Sequence, residues 1–111
     1  MVNTTGDHLM KNSMQHWNGC QCCAIDCETG GLDSCFHEIL QLCILPLDSN
    51  FEPRKDVLPF YVHFKPDYPN QVDPAALKIN KLNLAKLINE GLDKEQAKDL
   101  LEAWIKKLGL P

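Results

Sequence analysis

"AIDCETGGLDSCFHEILQLCILPLD", residues 24–48, decides how this chain is read. Its first residues end an apolar run, Cys22 to Glu28, that is bounded by Thr29-Gly30-Gly31, the pattern of a short strand leading into a turn. Side chains alternate along a strand, so Asp26 and Glu28 share one face while Cys27 takes the other. At a rise of about 3.3 Å per residue, the two carboxylates sit about 7 Å apart along the strand. Like charges so placed repel, and a cation between them would compensate. Hard oxygen ligands suit magnesium or manganese. A pair of such ions can stabilise the attacking and leaving oxygens of a phosphoryl displacement. Taken alone, Asp-x-Glu is weak evidence for metal, and on spacing alone a solvated strand end is the default reading.

Working outward, Phe36 to Leu47 reads as a second strand and Val57 to Phe64 as a third, joined by the polar turn "DSNFEPRKD". Together they form an antiparallel hairpin with a long loop, and Pro59 marks an edge or a bulge. After "KPDYPNQVD" the period changes from two to that of a helix. Asp73 as N-cap with Pro74 at the first helical position starts a short helix. "NLAKLINEG" is a second, closed by Gly91. The clearest helix runs from Lys94 to Leu108, with Asp93 and Gln96 set as a capping box. Ala97, Leu100, Leu101, Trp104, Ile105 and Leu108 keep an amphipathic rhythm, Trp104 reads as core, and Gly109 is the expected C-cap.

Composition narrows the alternatives. The 111 residues suffice for one small domain, and 44% hydrophobic with 23% charged residues is ordinary globular composition. A net charge of −4 with a single arginine, Arg54, offers no basic surface for non-specific nucleic-acid binding. No apolar run reaches the roughly 20 residues of a membrane helix. Residues 1–19 lack the apolar core of an export signal and read as a polar, poorly ordered extension, followed by a folded unit over 20–111. Six cysteines, at 20, 22, 23, 27, 35 and 43, crowd one segment instead of forming two separated pairs. They read as reduced thiols in a cytoplasmic protein, many of them small buried hydrophobes, rather than a zinc site.

The opening stretch resembles the first motif of the DnaQ-like 3′–5′ exonucleases, the DEDD superfamily with a ribonuclease H-like fold. Those proteins carry an apolar strand, then D-x-E-T-x-G-L, then a second strand of I-I-E-I type. Asp26, Glu28, Thr29, Gly31 and Leu32 fall on that motif, and Ile39-Leu40-Gln41-Leu42 on the second strand. "FKPDYPNQVDPAALKINKLN" and "GLDKEQAKDLLEAWIKKLGLP" are similar to the segments that follow in the family, so the likeness spans about residues 22–111.

The resemblance implies an α/β ribonuclease H-like exonuclease fold, incomplete, with three N-terminal strands, the first two antiparallel-paired, followed by helices. It implies phosphodiester hydrolysis from single-stranded DNA or RNA 3′ ends with Mg2+ or Mn2+. Asp26 and Glu28 would be metal ligands and catalytic residues. Thr29, Gly31 and Leu32 would bind the 3′-terminal nucleotide, and Leu82 would add to that pocket, although Lys81 stands where the family has glycine. The family's remaining carboxylates and its His or Tyr base have no counterpart here, and His37 and His63 read as ordinary surface or edge histidines. The chain is therefore expected to be a fragment of a longer exonuclease, or half of a split one, inactive alone. The first strand's open edge would then be covered by a second chain or by self-association. The alternative is a non-catalytic interaction module using that edge.

Overall fold

The three apolar runs pair into one sheet. The computed structural model describes residues 19–109, so all but the last residue of the expected polar extension lies outside the described residues. Strand β1 is Cys22–Thr29, β2 is Ile39–Leu47 and β3 is Phe60–His63, both pairings antiparallel in the order β1-β2-β3. The register sets Asp26 opposite Cys43, Glu28 opposite Gln41, and Gln41 in turn opposite His63. The ladder slips between Glu28 and Thr29, where the strand is about to turn.

Two strands start later than their apolar patterns suggest, for local reasons. Before β2, the Asp33 carbonyl accepts the N–H groups of Phe36 and His37 at 3.1 and 2.7 Å, and its carboxylate accepts Cys35 N–H at 3.0 Å. Residues 33–37 are thus held in a turn, and β2 begins at Ile39. Before β3, Pro59 has no N–H to give a ladder, and the Leu58 carbonyl is taken by Trp104 Nε1 at 2.6 Å.

Helix α1 is Pro74–Asn80, α2 is Leu84–Glu90 and α3 is Lys94–Lys106. Each starts on a side-chain cap: Asp73 accepts from Ala75 N–H, Asn83 from Lys86 N–H, and Asp93 from Gln96 N–H in a reciprocal capping box. Lys81 ends α1 in the left-handed region at φ 58°, and Gly109 follows α3 at φ 64°. No helix among the described residues is long and apolar enough to cross a membrane.

Alternation along the strands puts Phe60 and Val62 on one face with Leu42 and Ile44, where Trp104 of α3 and Leu108 just beyond that helix cover them. A second cluster joins Leu40, Val72 and Leu87, linking β2 to α2. Burying side chains of this size stabilises a fold by about 1.5–3 kcal/mol each. Arg54 is the buried charge that fastens this half of the molecule. Its guanidinium grips Asp56 through two bonds at 2.9 and 2.6 Å and donates to Gln21 Oε1 at 2.6 Å and the Leu108 carbonyl at 2.9 Å. Strand β1 pairs on one side only among the described residues, and Ile25 on it is 67% exposed.

Candidate active site

The site lies where β1 ends against α1. Four hydrogen bonds lace this corner. Thr29 Oγ1 donates to the Gly31 carbonyl at 2.7 Å, and Gly30 N–H to the Glu38 carbonyl at 2.9 Å. Asp73 N–H reaches the Gly30 carbonyl at 2.7 Å, and Asn80 Nδ2 the Thr29 carbonyl at 3.1 Å. Both ends of α1 are therefore pinned to the strand terminus. A cavity of about 290 Å³ opens between them, walled by Glu28, Thr29, Gly31 and Leu32 on one side and by Ala75, Ala76, Ile79 and Asn80 on the other.

Glu28 is half-buried in this wall, while Asp26, two residues back on the same strand face, is exposed and does not line the cavity. Neither carboxylate has a hydrogen-bond or ion-pair partner among the described residues. Leu32 is fully exposed, and Ile79 across the cavity is 79% exposed. Two large apolar side chains so displayed on either side of a slot suit a flat apolar guest. Ile79 was not singled out in the sequence. The signal was present, because Ala75, Ala76 and Ile79 stand at i, i+1 and i+4, a helical face distinct from that of Leu77.

Leu82, expected in this pocket, is elsewhere. The left-handed turn at Lys81 rotates the chain so that Leu82 packs against the Leu40, Val72 and Leu87 cluster. It lines a separate cavity of about 380 Å³ with His63, Lys81, Asn83, Lys86 and Glu90. His37, read as an ordinary histidine, lies over Gly31, its Nδ1 accepting Asp33 N–H at 3.1 Å.

A carboxylate clamp holds the loop between β1 and β2 from behind. Glu38 accepts N–H groups of Asp67 and Tyr68 at 3.0 and 2.9 Å and the Lys94 ammonium at 3.0 Å, while Lys94 also contacts Asp67. Burial acts to raise the Glu38 carboxyl, but the two backbone donors and Lys94 together outweigh it and hold it below its ordinary value. Asp67 and then Glu38 raise Lys94 in return.

Asp26 and Glu28 supply hard oxygen donors with no competing partner, which fits a magnesium- or manganese-type ion. Among the described residues no group of three or more His, Cys, Asp or Glu side chains gathers at one point, and the cysteines are free thiols.

Comparison with known proteins agrees with this reading of the fold. The profile of the RNase_T family, described as an exonuclease, matches residues 23–110. No curated protein sequence matches. Among solved structures, the crystal structure of cell-death related nuclease 4 (CRN-4) superposes with a TM-score of 0.62 at 21% identity. That match covers 78% of this chain and 30% of the nuclease, so the chain spans about a third of that protein's length. Three antiparallel strands followed by three helices reproduce part of an exonuclease fold, and the chain belongs to the RNase_T exonuclease family.

Proposed function

We propose that this chain carries the first-motif part of a 3′–5′ exonuclease site acting on single-stranded DNA or RNA ends. One observation carries the reading: two carboxylates without a partner among the described residues share a strand face, and one of them walls a slot flanked by exposed Leu32 and Ile79. Asp26 and Glu28 hold Mg2+ or Mn2+, which when bound supplies charge stabilisation to a phosphoryl displacement. Leu32 and Ile79 grip the terminal base. Thr29 and Gly31 bring backbone, without bulky side chains, up to the sugar.

Two carboxylates alone hold magnesium weakly, since it sheds its waters reluctantly. These residues alone therefore turn over slowly or not at all, and further carboxylates from a longer polypeptide, a second chain or another copy complete the sheet and the ligand set. Six cysteines as free thiols suit the reducing cytoplasm.

Calorimetric titration of a nucleoside 5′-monophosphate with and without Mn2+ tests the reading. Binding should depend on the metal, vanish in Asp26→Ala and Glu28→Ala, and weaken in Leu32→Ala and Ile79→Ala. Metal-independent binding indifferent to all four substitutions would remove it. A second reading, a non-catalytic module that pairs through β1, draws on the 67% exposure of Ile25 at the unpaired edge.

A further inference from the structure

The cavity that receives Leu82 has a chemistry the terminal slot does not use. Its rim carries Lys81 and Lys86 against one carboxylate, Glu90, and none of the three has a hydrogen-bond or ion-pair partner through its charged group among the described residues. In a chain of net charge −4 this is a local reversal of sign. Asn83 spends its Oδ1 on the Lys86 N–H, so its amide donors remain available. The floor is apolar, from Leu82 and Leu87.

Position ties this cavity to the slot. Asn80 walls the slot and the next residue, Lys81, walls the cavity, so the two adjoin across the α1–α2 turn. His63 stands on the same cross-strand rung as Gln41 and Glu28. Two interstrand spacings of about 4.8 Å separate them, about 10 Å in all.

We infer that the cavity of His63, Lys81, Asn83 and Lys86 seats the phosphodiester of the nucleotide preceding the terminal one, an inference that rests on the slot binding a 3′-terminal nucleotide. The two ammonium groups and the Asn83 amide are donors of the kind that fix register on a backbone without reading bases. A single nucleotide would not reach them, whereas a short strand would.

The test uses the whole chain with Mn2+, a 5′-fluorescein tetranucleotide of deoxythymidine read by anisotropy, and unlabelled thymidine 5′-monophosphate as competitor. Lys81→Asn, chosen because asparagine tolerates the left-handed backbone, is combined with Lys86→Gln. The double variant should bind the tetranucleotide on the order of tenfold more weakly at low salt, and the log–log salt slope should fall by about 0.7, the value for one lost phosphate contact on a single strand. Competition by the mononucleotide should stay unchanged. Glu90→Gln should tighten the tetranucleotide, since it removes the one like charge. An unaltered salt slope, or equal losses for mononucleotide and tetranucleotide, overturns the inference while leaving the slot reading intact. Absence of binding by either ligand to the unaltered chain overturns both.

Discussion

The imidazole of His37 lies directly over Gly31, where an added Cβ would overlap the ring. Since Asp33 N–H holds that ring through Nδ1, it cannot swing aside freely. Gly31→Ala should cost about 2 kcal/mol by overpacking. The same change made in a His37→Ala background should cost much less. Urea denaturation of the four proteins gives the coupling. Equal costs in both backgrounds would show that the ring does not enforce the glycine.

Arg54 fastens three segments, and its side chain is 3% exposed against 51% for Asp56. Arg54→Met should destabilise by about 3 kcal/mol, because charge-assisted bonds to Asp56, Gln21 and Leu108 go together. Arg54→Lys should recover little of it, since an ammonium cannot reproduce the two-pronged grip on Asp56. Thermal unfolding at neutral pH orders the three proteins, and a lysine variant as stable as the original would refute the geometric argument.

Glu38 makes stability depend on acid. Its folded carboxyl is held below its ordinary value, so the stabilisation is fully present above the ordinary glutamate value of about 4.3 and drains as pH falls through the folded value. Asp56, held down by the hydrogen bond from Arg54, contributes with the same sign. Glu38→Gln should lose about 1–2 kcal/mol at pH 7 and approach the unaltered protein at pH 3. A gap in urea midpoint that stays constant between those two values would contradict the clamp.

The edge of β1 left unpaired among the described residues should make the chain self-associate. Ile25→Lys places a charge on that edge, a change that blocks strand addition. Sedimentation velocity over a range of protein concentrations should show a shift toward monomer in the variant. A chain that stays monomeric at high concentration with or without the lysine does not use this edge for self-pairing.

Much of the architecture could be read from the sequence because its signals are local. Asp73-Pro74 and the Asp93–Gln96 pair fix two helix starts within single turns, and Asp26, Cys27 and Glu28 alternate as a strand must. What escaped the sequence was set by contacts between distant residues. The start of β3 depends on Trp104 reaching the Leu58 carbonyl, 46 residues away. Leu82 packs with Leu40, Val72 and Leu87 instead of in the slot, a long-range contact that follows a left-handed turn at Lys81, the position where the resembled family has glycine. Ile79 escaped because a helical isoleucine is read first as core, although its spacing from Ala75 and Ala76 sets it on a face apart from that of Leu77, which packs inward.

The guanidinium of Arg54 joins Gln21, 33 residues before it, to Leu108, 54 residues after it. Contacts of such long range form only after most of the chain has been ordered, because the loops they close must first lose their freedom. This side chain is thus a latch that shuts late in folding and is among the first contacts released in unfolding. Its removal should speed unfolding far more than it slows folding, leaving the hairpin of β2 and β3 to assemble at its usual pace.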